Sequence, residues 1–352
     1  TTIADGSTDP GRSLFLKYTG TLDSTCTITI GPNTVSKLWF IENATSGSQS
    51  IIISQGSGAN ITILNGQTKA IYSDGAGSGA AMVDAFTDLS VPSISTSTAG
   101  TSNTRIGVNT GDSITSGGNY NVLVGDEAGT ALTTGDNNVA IGFEALSTED
   151  ANGNNVAVGY RALKTLNAGA NGLNTAVGVD AGTSMTTGAN NSLFGTFSGD
   201  ALTDGAENTA LGYNTLSTEQ RGKGIVAVGW KALQTSNLGS SGYSYNTAAG
   251  YLAGGAITTG VSNTLVGGQT GESITTGNYN SFVGARAGDA ITTASNNVAV
   301  GWATLSADTK GDKTVAIGRS ALGAQNFTTA TDTYNVAVGY LAGVSVLSLI
   351  HI

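Results

Sequence analysis

From residue 103 onward, apolar and polar positions return on a beat of about 17 residues. Lines such as "NNVAIGFEALSTED" (137–150) and "NNVAVGYRALKTLN" (154–167) repeat an Asn, three small or apolar residues and a Gly. Aligning on that Gly gives fourteen units, at Gly107, Gly125, Gly142, Gly159, Gly178, Gly195, Gly212, Gly229, Gly250, Gly267, Gly284, Gly301, Gly318 and Gly339, mostly 17 residues apart with stretches to 18, 19 and 21. A fixed period of this length describes one supersecondary unit stacked on copies of itself, and the longer intervals read as loop insertions. The residue before each Gly is apolar, and Val, Thr or Ser stands two residues further back. This predicts a three-residue strand in every unit with the residue before the Gly turned inward, as at Val124, Val158, Val228 and Val300. The fold class expected is all-β, with a parallel β-solenoid or β-roll over 103–346.

Four residues before the Gly stands Asn in twelve units, among them Asn121 (with Gly125), Asn138 (Gly142), Asn155 (Gly159) and Asn297 (Gly301); Ile225 and Thr314 are the exceptions. Asn tolerates left-handed backbone and hydrogen-bonds its neighbours, so stacked Asn residues at a coil corner predict a ladder rather than a metal site, no carboxylate recurring beside them. Four residues after the Gly the chain has only Gly or Leu. Units with Gly place an apolar residue three positions later, at Ile114, Leu132, Met185, Leu202, Ile257, Ile274, Ile291 and Val346, whereas units with Leu usually place a polar one there, as at Glu149, Glu219 and Asp308. The expectation is one large filler per coil, reached by either of two backbone routes. Fourteen coils at roughly 4.8 Å make a rod on the order of 65 Å long. So thin a core predicts a homotrimer, the Ala stripe of Ala140, Ala157, Ala176, Ala210, Ala227, Ala299, Ala316 and Ala337 packing rod against rod.

Residues 1–91 lack the repeat. Short alternating segments ("SLFLKY", "CTITIG", "KLWFIE", "SIIIS") between turn-forming stretches predict an antiparallel β-sandwich or jelly-roll-like domain. A polar linker, 92–102, follows. Composition changes this picture little: 52 Gly, 3 Pro and 11% charged residues in a chain of 352 suit closely approaching β backbones. A net charge of −10 argues against nucleic acid, and no apolar run reaches a membrane span. Cys26 is the sole cysteine and reads as a buried strand residue.

The unit "NNVAIGFEAL" resembles the "N-x-V-A-I-G" coil of trimeric autotransporter adhesin heads. The stretch "KLWFIENATSGSQSIIISQGSGANITIL" is similar to a domain found beside such repeats in tail fibres of marine and freshwater bacteriophages. The resemblances imply a structural virion fibre, a tail fibre or appendage shaft serving host adhesion, with other virion proteins as partners. The alternatives are a bacterial trimeric surface adhesin or extracellular filament at the cell surface, and a polysaccharide-degrading tailspike. The ending "LSLIHI" resembles translated adapter sequence, which implies a non-native tail at 347–352. No cofactor or metal is expected, and no catalytic constellation: Asp180, Asp200 and Asp289 read as solvated surface. The residue just after the coil Gly is aromatic in seven units, Phe143, Tyr160, Tyr213, Trp230, Tyr251, Trp302 and Tyr340. Regularly spaced aromatic faces are candidate contacts for a host-surface glycan, with Arg161, Lys231 and Arg286 beside them; the competing expectation is that the rings stack on one another.

Overall fold

A computed structural model describes residues 13–86 and 99–347. The expected linker lies mostly, and the expected non-native tail almost wholly, outside the described residues. The chain divides into two compact units, Thr1–Ser93 and Ile94–Ile352.

The smaller unit has seven strands: β1 (Phe15–Tyr18), β2 (Cys26–Thr29), β3 (Ser36–Asn43), β4 (Ile51–Ser54), β5 (Ile61–Ile63), β6 (Thr68–Asp74) and β7 (Met82–Asp84). They form two sheets, β1-β3-β6-β7 and β2-β4-β5, which share one core built on Leu16, Trp39, Ile41, Ile51, Ile53, Ile63, Ile71 and Met82. Alternation in β3 turns Trp39 and Ile41 inward and leaves Leu38 and Phe40 exposed. The sheets are mixed, not antiparallel throughout. Phe15 pairs with Phe40 and Cys26 with Ile51 in parallel, and the bridge between Thr21 and Ser46 keeps the same 25-residue offset. The first half of the unit is thus two turns of a wide coil, a period that occurs only once and so leaves no visible repeat. Cys26 is half-exposed, not buried.

The larger unit is the expected solenoid. Fourteen three-residue strands, from Thr104–Ile106 to Val336–Val338, form one parallel sheet in chain order. Val139, Ala140 and Ile141 pair with Val156, Ala157 and Val158, and the same register holds along the stack. The coil Gly is fixed by its backbone: φ lies between 125° and 148° in all fourteen units, and a Cβ at Gly125 would stand 2.7 Å from the carbonyl oxygen of Gly142.

The expected facing of the strands is inverted. The middle residue, Leu123, Ala140, Ala157, Ala227 or Ala299, is fully buried. Val124, Val158 and Val228 are half-buried and Val300 is 36% exposed, like Ile141 at 38%. The Ala stripe therefore lies inside each coil and cannot face another copy of the chain. What the solenoid presents outward is its column of larger apolar residues.

The Gly-or-Leu choice has a different basis from the one expected. Both residues occupy the same left-handed backbone, with φ of 57° at Gly129 and 51° at Leu146, so there are not two routes. Gly takes this conformation without strain; Leu takes it at a cost that its complete burial offsets. Side chains at this position point into the coil, where a Cβ at Gly129 meets Leu132 at 2.8 Å and Leu123 at 2.9 Å. Three interior positions therefore share one volume. Every Leu coil has Ala in mid-strand, while Gly coils carry Leu or Phe there, or lean on the Leu of the preceding coil as Gly182 does on Leu163; the first coil, with Arg105 in mid-strand, instead has Gly111 facing Leu123 of the next coil. Polar residues at the filler position of Leu coils also turn inward. Glu219 is buried, one carboxylate oxygen accepting from the N–H groups of Gln220, Arg221 and Gly222 at 3.1, 3.1 and 2.8 Å and the other from Ser236 Oγ at 2.9 Å.

This packing predicts that Gly129→Leu costs about 1–3 kcal/mol by overfilling its coil. Adding Leu123→Ala should recover more of that loss than adding Leu132→Thr, because Ala is the mid-strand partner in every natural Leu coil. Equal recovery in denaturant melts of the two double variants would show that mid-strand size is irrelevant.

Candidate functional site

The Asn column is the interior spine. The N–H of Asn121 donates to Oδ1 of Asn103 at 2.9 Å, that of Asn138 to Asn121 at 2.9 Å and that of Asn155 to Asn138 at 3.0 Å. The side-chain amide donates onward to a carbonyl, Asn121 to Gly135 at 2.8 Å and Asn297 to Gly311 at 2.9 Å. The ladder is as expected, but the left-handed residue is the one before the Asn, at Tyr120, Asn137, Asn154 and Asn296. The doublet "NN" was the signal in the sequence for this assignment.

The seven aromatic residues after the coil Gly lie on one surface column, and where consecutive coils both carry a ring the two are about one strand spacing apart. Phe143 stacks on Tyr160 with centroids 5.6 Å apart. Tyr213, Trp230 and Tyr251 form a continuous stack, with separations of 6.4 and 4.9 Å and interplanar angles of 16° and 7°. Trp302 and Tyr340 do not touch each other; Arg319, from the coil between, lies 5.1 Å from the first ring and 5.8 Å from the second. Most ring faces are thus covered by neighbouring rings or cations, which leaves chiefly edges and stack ends to solvent.

The basic residues named with the rings are engaged locally. Arg161 lies 5.5 Å from the Tyr160 ring and pairs with Glu144 at 3.2 Å. Lys231 sits 4.5 Å over Trp230, and Arg286 Nε donates to Asp289 Oδ2 at 2.9 Å. A second aromatic edge, absent from the sequence reading, is made by exposed Tyr120, Tyr245, Tyr279 and Tyr334 at the left-handed position before the Asn, with Tyr243 stacked on Tyr245 at 5.1 Å.

Asp200 and Asp289 occupy the same coil position, five residues after their Gly, and are not simply solvated: each has one buried carboxylate oxygen without a hydrogen-bond partner. Burial pushes Asp200 up to about 6, with the negative charge of Asp180 adding to the shift. Among the described residues no three His, Cys, Asp or Glu side chains converge on a point that would hold a metal ion.

The raised Asp200 has a pH consequence with a definite sign. Between about pH 4 and 6 the folded protein holds the proton and the unfolded chain releases it, so stability falls as pH rises through this window and is level above it. Asp200→Asn should remove that slope and raise stability at pH 7.5 by about 1 kcal/mol, after allowance for solvent screening of a half-exposed group. Melts of both proteins from pH 4 to 8 check this; parallel curves would contradict it. No protein-family model matches the chain, and neither a curated protein nor a solved structure matches it.

Proposed function

We propose that this chain is a structural virion fibre protein, a tail fibre or appendage shaft, whose solenoid assembles as a homotrimer and contributes to adhesion at the host surface. The observation that carries this reading is the outward apolar column of the fourteen-stranded sheet. Ile106, Ile141, Phe194, Leu211, Val266, Val283, Val300, Ile317 and Val338 all stand exposed in the single chain. Together with their half-buried neighbours they make an unbroken stripe the length of the sheet, an apolar surface of the kind that marks an interaction site. A partner matching it over its whole length needs the same spacing of about 4.8 Å, which further copies of the chain supply.

A stack whose coils each satisfy the next suits a load-bearing shaft, and the side chains on its surface suit contact rather than catalysis. The aromatic column is the candidate glycan contact, offering stack ends and ring edges. A bacterial surface adhesin is the alternative that uses the same architecture. Immunogold labelling of purified particles, against labelling of particle-free cells, separates the two, with fibre labelling on particles expected.

The assembly is tested by sedimentation of the full chain. The expected species contains three chains, and the double variant Ile141→Lys with Val266→Lys is expected to sediment as one folded chain, because both residues point out of the coil. A monomeric wild-type chain would contradict the assembly.

A further inference from the structure

Within its span the aromatic column is interrupted three times: by Val179 and Thr196 between Tyr160 and Tyr213, where Phe197 packs edge-on against Tyr213 at 6.1 Å, by Arg319 between Trp302 and Tyr340, where the guanidinium lies against both rings, and at one place where no ring or cation is stacked in the gap. Between Tyr251 and Trp302 the two intervening coils carry Gly268 and Ala285 at the ring position. The register is continuous across the gap: the N–H groups of Gln269, Arg286 and Ala303 donate to the carbonyls of Tyr251, Gly268 and Ala285 at 2.7, 3.0 and 3.0 Å. Three coil steps of about 4.8 Å therefore separate the two rings by roughly 14 Å, which leaves a gap on the order of 10 Å between their contact surfaces.

Both rings turn a free face to this gap. Tyr251 is covered on its other face by Trp230, at 4.9 Å and 7°, and Trp302 by Arg319 at 5.1 Å. Tyr251 is 52% and Trp302 48% exposed, against 39% for Trp230. The floor is open, since a Cβ at Gly268 would meet nothing within 4 Å. The residues that follow the floor positions are polar. Gln269 Nε2 donates to Glu272 Oε2 at 3.0 Å, Arg286 Nε donates to Asp289 Oδ2 at 2.9 Å, and Asp289 Oδ1 is the buried carboxylate oxygen without a partner.

We propose that this notch is a saccharide subsite, taking two linked sugar rings of a neutral polysaccharide, one against each aromatic wall. The gap is too wide for a single flat ring to touch both walls. Aromatic faces bind the apolar faces of sugar rings, and the amide, guanidinium and carboxylate groups alongside match hydroxyls. Two carboxylates against one guanidinium disfavour an anionic polymer. The inference rests on the adhesive reading of the ring column and narrows it to one place on the rod.

Gly268→Phe is the decisive variant, because it fills the notch from a position with open space and no left-handed backbone. The full-length protein is titrated with neutral hexasaccharides of glucose, mannose and N-acetylglucosamine, read by calorimetry and by tryptophan emission in a Trp230→Phe background that leaves Trp302 as the exposed reporter. At least one probe is expected to bind and shift the emission, with affinity reduced about tenfold or more by Gly268→Phe and unchanged by Tyr120→Asn, at an exposed position outside the column where other coils carry Asn. Absence of binding by every probe at millimolar concentration overturns the proposal. Binding that survives Gly268→Phe but is lost in Tyr160→Ala overturns the notch while leaving a glycan-binding column in place. If no probe binds and Gly268→Phe changes the number of chains per particle, the notch is a contact between copies and the proposal fails. Particle labelling and wild-type sedimentation test the fibre reading separately from all of these outcomes.

Discussion

A coil of 17 residues cannot satisfy its own backbone. Its strand of three residues has no partner within the turn, and its corner N–H groups point into an interior too narrow for water. Each must find its acceptor one coil away. That constraint explains the most regular features of the sequence. Asn recurs because its side chain accepts from the corner N–H of the next coil and donates to a nearby carbonyl, as Asn138 does between Asn155 and Asn152. Gly recurs because stacked backbones at the strand end approach too closely for a Cβ. At Thr110, Thr270 and Thr304, three residues after the Gly, the hydroxyl bridges to the next coil, as from Thr270 to the carbonyl of Gly284 at 2.6 Å. Stability is consequently shared between neighbours and not owned by any one unit.

The period, the strands and the Asn ladder were legible because a stacked architecture writes each requirement fourteen times. The facing of the strands was misread for a physical reason. Alternation identifies an inner face only when one face is polar, and here both columns are apolar in nearly every coil: Ala, Leu or Phe282 inside, chiefly Val and Ile outside. The inner column is small because the opposite wall of the coil is close, and Leu146 or Leu163 already fills the space. Larger side chains are tolerated outside, where the volume limit is absent. The Gly-or-Leu restriction was visible, but its cause was not, since nothing in a sequence marks a Leu held at positive φ. In the smaller unit the 25-residue coil from Phe15 to Ser54 was hidden because it makes only two turns.

The surface columns follow from the same stacking. Any residue type placed at one coil position is brought within contact of its counterparts, so Tyr213, Trp230 and Tyr251 stack without further arrangement. Along such a stack the surface changes character where the column changes residue type, as at Gly268 and Ala285 between Tyr251 and Trp302, or where a carboxylate oxygen is orphaned, as at Asp200 and Asp289. The buried positions of a coil, such as Asn138, Ala140, Ala145, Leu146 and Glu149, are committed to packing and to hydrogen bonds between coils, which leaves variation to the surface.

The natural break in the ladder provides the most direct test of the axial account. Ile225 stands where the preceding coil should offer Asn246 a side-chain oxygen, whereas Asn263 receives one from Asn246 at 2.9 Å and Asn191 from Asn174 at 3.0 Å. Residue-resolved amide hydrogen exchange of the intact protein should find Asn246 exchanging about tenfold or more faster than Asn191 and Asn263, with Asn263 as protected as the strand residues beside it. Equal protection at all three positions would contradict the claim that axial side-chain hydrogen bonds hold one coil to the next.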